Sequence, residues 1–227
     1  MTTLPSDPVA AAGTPASHGL LPPTLRRDLA DLNGQFLDLS LAGDRVTDPC
    51  AGWAEPVRRH LRVIDRPTRA RMAAAPFALF RLVLQVPLLA VPPEPAGGVA
   101  DLPLSATAPT SPDRWTSFTH QAAFFARRLV DGAALAANVV LDLTPETQSL
   151  LAAMAPSQLA AVAAQPDLVR PRWPDHLRFW EMLEAAARRN SAIALQWAHC
   201  VGVCLLGVEA EGTAGIPAGV GRRRPRR

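Results

Sequence analysis

Apolar residues recur along this chain at steps of three and four, and nowhere do they alternate strictly with polar ones. In TLRRDLADLNGQFLDLSLAG, Leu25, Leu29, Leu32, Phe36 and Leu39 form one stripe. Thr24 suits the cap and Gly43 the end, so the spacing predicts an amphipathic helix, with Gly34 a weak point in its middle. VRRHLRVI predicts a short helix. Asp65 followed by Pro67 opens another over DRPTRARMAAA, because a capping acid ahead of an early proline satisfies the first amide groups and presets the backbone. The apolar run FALFRLVLQ is buried by composition, and its pattern leaves helix or strand open.

A second helical series starts at Asp113 in DRWTSFTHQAAFFARRLVDG, where Trp115, Phe118, Ala122, Phe125 and Leu129 share a face. AALAANVVLDL follows. Thr144 and Pro145 then open LTPETQSLLAAM, and a turn at Ala155 and Pro156 leads to SQLAAVAAQP. PDLVRPRWP is held extended by its prolines. Asp175 caps HLRFWEMLEAAARRN, and Ser191 caps a last helix reaching Val208. The reading is all-α, a helical bundle of two small modules at 22–86 and 113–209. Seven prolines and a Gly-Gly pair between Pro87 and Pro112 make 87–112 a linker or long loop. Residues 1–21 and 210–227 read as a disordered leader and an Arg-rich tail. VIDRPTRARMAAAPFAL echoes VLDLTPETQSLLAAMAPSQL in spacing, which raises an internal duplication.

Charge changes the picture at one place. The net +3 comes from the tail, since Arg222, Arg223, Arg224, Arg226 and Arg227 lie within the last six residues and leave 18 arginines against 20 acids elsewhere. A slightly acidic body neutralises few phosphates, so DNA would be met indirectly or weakly. The N-terminus has no basic start with an apolar run behind it, and no apolar stretch is long enough to span a bilayer, so a bacterial cytoplasm is expected and no membrane association. Three cysteines, Cys50, Cys200 and Cys204, make no disulfide framework.

QWAHCVGVC, Gln196 to Cys204, groups a histidine with two cysteines. On a helix wheel with Ile193 at zero, Trp197, Cys200 and Cys204 lie within about 40° of it and His199 at about 240°. The three side chains cannot meet on one ion, and a zinc site would need four ligands. The expectation is therefore that both cysteines are buried on a core face, with no metal and no cofactor. Leu195, His199, Val203 and Leu206 on the far side then make a helix apolar nearly all round, which points to a partner interface there.

FFARRLVDG, LDLTPETQSLLAAMAPSQLAAVAAQPDLVRPRW and LQWAHCVGVCLLG, within residues 121–207, resemble the flagellar transcriptional activator FlhD. The matching positions are Ala126, Arg128 and Leu129 in the first helix, Gln158 and Leu159 at a turn, and Leu195, His199 and Gly202 in the last helix. The resemblance implies an all-α homodimer that assembles with a zinc-bearing second regulator subunit making most promoter contacts. It does not extend to residues 24–90.

Arg170, Arg172 and Trp173 combine cations with an aromatic ring, a pattern that suits nucleic-acid or partner contact or, as is commoner, anchoring of the loop by the tryptophan, and Arg223 and Arg224 in the tail could add phosphate contacts. No nucleophile-elbow, zinc-protease or phosphate-cradling motif occurs in the sequence. The expected role is non-enzymatic: a regulator subunit acting with a DNA-binding partner, or else an adaptor without DNA contact.

Overall fold

The computed structural model describes residues 21–42, 53–84, 114–165 and 168–214. Among them are nine helices and one two-stranded ribbon, an all-α fold. In chain order these are α1 (Pro23–Ala42), α2 (Glu55–Arg62), α3 (Arg66–Ala73), β1 (Phe80–Leu82), α4 (Arg114–Gly132), α5 (Ala134–Leu141), α6 (Pro145–Ala153), α7 (Pro156–Ala163), β2 (Val169–Pro171), α8 (Leu177–Arg188) and α9 (Ala192–Ala214). The leader before residue 21, the linker at 87–112, Cys50 and the end of the tail lie outside the described residues.

Side-chain caps open three of the nine described helices, and Thr24, expected to cap α1, lies inside that helix, which begins at Pro23. Asp65 accepts the Thr68 amide at 2.8 Å and opens α3, while Thr144 accepts the Thr147 amide at 3.3 Å and opens α6. The Ser191 hydroxyl accepts from Ala194 N at 3.3 Å at the head of α9. At α8 the expectation fails, because the cap is His176 with no side-chain bond and Asp175 contributes only its carbonyl, to Leu177 N. The preceding turn carries a left-handed Trp173, φ 50°, and it leaves Asp175 one residue too early to cap.

The helical modules share a single hydrophobic core instead of standing apart. Phe36 of α1 meets Phe80 of β1 at 5.5 Å and Phe118 of α4 at 6.1 Å, and Phe80 meets Phe118 edge-on at 5.3 Å. Fully buried Asn33 ties α1 to the end of α3, donating to the carbonyls of Ala73 and Phe77 and accepting from Leu79 N at 2.8 Å. Arg127 does the same for the second series, reaching from α4 to the carbonyls of Leu151 and Met154 at the end of α6. In each case a polar side chain from the long helix satisfies carbonyls that a helix end leaves open.

These correspondences extend to the whole layout. Helices α2 and α5 are both eight residues long and begin 79 positions apart, at Glu55 and Ala134, and the caps Asp65 and Thr144 keep that separation. Helices α1 and α4 cross antiparallel through reciprocal pairs, Asp28 with Arg128 and Gln35 with Gln121. The ribbon is antiparallel about Arg81 opposite Arg170, flanked by Arg172 N to Leu79 O and Val83 N to Leu168 O. The ribbon joins a first half, α1 to β1, to a second, α4 to β2, and α7 lies between the paired short helices and β2 in the second. Helices α8 and α9 have no counterpart among the described residues. They pack on the first half, where Trp180 meets Trp53 edge-on at 5.1 Å and Arg71 Nε donates to the Ala187 carbonyl, and Trp180 Nε1 also donates to the Trp173 carbonyl after β2.

Candidate interaction surface

Helix α9 follows a left-handed Asn190, φ 50°, and packs chiefly on α8. From Ala192 to Val208 it carries no Asp, Glu or Arg. Both of its sides are largely apolar. The inward side presents Ala198, Gly202 and Leu206, all buried, with His199 half-buried between them. At Gly202 the helix lies so close to the Phe77 ring that a Cβ there would overlap the ring's edge atoms. His199 meets the same ring edge-on, centroids 6.1 Å apart, and burial holds its imidazole below the ordinary 6.5.

The outward side presents Ile193 (72% exposed), Trp197 (69%), Cys200, Val203 (44%) and Cys204, with Gln196 and Gly207 at its edges. This reverses the wheel. Cys200 and Cys204 are exposed free thiols instead of core residues, and Trp197 lies beside them in solvent. Of the four positions expected to face a partner, Leu206 is buried in the chain's own core, Leu195 and His199 are half-buried, and Val203 alone is exposed. The reason is steric. A helix apolar on all sides has no direction set by hydrophobicity, so close approach decides, and only the Ala198/Gly202 side lets the backbone settle on Phe77. A row of exposed aliphatic and aromatic side chains on an uncharged helix is the kind of surface that soluble chains reserve for contacts.

The Arg-Trp segment is divided by the ribbon. Arg172 is fully buried, donating from Nη1 to the carbonyls of Val140 at 3.1 Å and Ala78 at 3.3 Å, with its guanidinium 5.6 Å from the Trp173 ring. Trp173 is also buried, edge-on to Phe77 at 5.4 Å. Both clamp the two halves together and present nothing to nucleic acid. Arg170 is exposed, directly across the ribbon from exposed Arg81. These two arginines border a cleft of about 360 Å³ with Asp142, whose half-buried carboxyl is raised by desolvation against the pull of Arg172 and Arg81. Arg223 and Arg224 lie outside the described residues.

A cleft of about 380 Å³ runs between α1 and α4 over Leu32, Phe124 and Phe125, bordered by the Asp28–Arg128 ion pair. Among the described residues no three of His, Cys, Asp and Glu gather closely enough to hold a metal ion, and no helix is long and apolar enough to cross a membrane. Sequence periodicity missed Asn33, Arg127 and Arg172 as structural ties. A polar residue inside an apolar stripe, as Asn33 is, was the available signal for the first of these. Comparisons with protein-family models, with curated proteins and with solved structures find no match for this chain.

Proposed function

We propose that this protein works by binding, as a helical regulator subunit that forms a homodimer through the outward face of α9 and joins a zinc-bearing companion responsible for DNA contact. One observation carries the reading: Trp197 stands 69% exposed on an uncharged apolar helix, while Trp53, Trp115, Trp173 and Trp180 are all buried. Tryptophan in such a position is a characteristic anchor of protein interfaces. The resemblance of residues 121–207 to FlhD supports the regulatory part.

The test is a gel shift with and without copurified partners. Partner-dependent, salt-sensitive retardation that Trp197→Asp abolishes is the expected result. A stable protein complex with no retardation overturns the regulatory part and leaves an adaptor without DNA contact. That second reading is favoured by the burial of Arg172 and Trp173, which removes the best sequence candidate for base or phosphate contact.

A further inference from the structure

We infer that the α9 homodimer is antiparallel, with Cys200 on its two-fold axis. This rests on the docking role of the α9 face and adds its register. Counted from Cys200, the outward side is complementary to itself in reverse. Ile193 lies seven positions before and Gly207 seven after. Gln196 lies four before and Cys204 four after, and Trp197 lies three before and Val203 three after. Running the two copies in opposite directions therefore sets Ile193 over the partner's Gly207, Gln196 over the partner's Cys204, and Trp197 beside the partner's Val203. Each large side chain meets a smaller one, which is the condition for close packing. A parallel pair would place Trp197 against Trp197 at one end and leave Gly207 facing Gly207 at the other.

The repeat supports a helix as the occupant. Ile193, Cys200 and Gly207 stay within about 40° of one another round the helix, so together they form a nearly straight stripe that a second helix can follow. The absence of charge from Ala192 to Val208 supports a like surface, since a charged partner would lose hydration without gaining an ion pair. The stripe from Ile193 to Gly207 is about 20 Å long, which makes a small interface and a dimer of modest affinity.

The register fixes which cysteines meet. Helices packed with axes about 8–10 Å apart bring facing Cα atoms within the roughly 4.4–6.8 Å span of a disulfide. Cys200 meets its own copy there, whereas two Cys204 residues lie about 12 Å apart along the axis. The full chain with Cys50→Ser is the test protein, its mass measured by light scattering at on the order of 100 μM, above the weak end of such interfaces.

With Cys204→Ser added, leaving Cys200, mild copper-phenanthroline oxidation is expected to give a covalent dimer on a non-reducing gel. With Cys200→Ser added instead, leaving Cys204, the yield falls roughly tenfold or more. Dimer mass with equal cross-linking by both proteins, or with Cys204 favoured, overturns the antiparallel register and leaves the docking role standing. A monomer mass overturns both.

Discussion

The inward and outward sides of α9 carry equally apolar side chains and have opposite fates. Ala198, Gly202 and Leu206 are buried, while Ile193, Trp197 and Val203 stand in solvent. What separates them is how near the backbone can come to Phe77, and this depends on the absence of a Cβ at Gly202. Hydrophobicity brings this helix to the protein, and side-chain size chooses the side that stays. The side that stays is the one where Gly202 lets the backbone close on Phe77, and Ile193, Trp197 and Val203 are left in solvent.

The contrast can be broken from either side. The largest effect belongs inward: Gly202→Val drives a branched side chain into the Phe77 ring and should cost about 3 kcal/mol in urea unfolding, the upper part of the overpacking range. Leu206→Ala, on the same side, should cost a similar amount, about 2–3 kcal/mol, from lost burial and the cavity it leaves. If either were neutral, the seat of α9 on Phe77 would be wrong.

Trp197→Asp on the outward side should reverse the balance. Unfolding midpoints should stay within about 0.5 kcal/mol of the parent, as for other surface substitutions, while the dimer weakens by more than about 2 kcal/mol, as for an interface anchor. Iodide quenching sharpens the point, because among the five tryptophans only Trp197 is accessible. Quenching should rise on dilution of the wild type as the dimer separates.

The smallest effects concern His199 and the thiols. Burial lowers the His199 value in the fold, so below 6.5 the unfolded chain takes up the proton first. Stability is then fully present above that pH and is lost as pH falls from there toward the folded value. His199→Gln should flatten this part of the stability profile. Cys200→Ser and Cys204→Ser, in solvent, should leave the unfolding midpoint unchanged within a few tenths of a kcal/mol. A larger loss from either would place the cysteines back in the core.

The fold class and the starts of α3, α6 and α9 were legible because capping and stripe spacing are local. Asp65 with Thr68 and Thr144 with Thr147 act within four residues, whereas PDLVRPRWP, expected to be extended throughout, is a strand at Val169–Pro171 and then bends, with Trp173 left-handed. The ribbon's other strand was not legible, because FALFRLVLQ becomes a strand only when Val169–Pro171 lies beside it. Nor could the orientation of α9 be read, since it depends on a ring 125 positions earlier, Phe77 against Gly202. Arg172 looked like a surface cation for the same reason: its carbonyl partners at Ala78 and Val140 are set by tertiary structure. VIDRPTRARM and VLDLTPETQSLL each run from the end of one short helix into the next, with both helix ends and helix starts 79 positions apart.

The Arg81/Arg170 pairing also constrains the order in which this chain can acquire its structure. Its two strands meet across 89 positions, and closing such a loop costs about 2 kcal/mol more chain entropy than closing one of ten residues. The helical hairpins α2–α3 and α5–α6 close over a few residues each. They are therefore expected to form early, and the ribbon that joins the halves late. During synthesis β1 is complete long before β2 exists, and its hydrogen-bonding edge stays open to any extended segment until Val169–Pro171 is made.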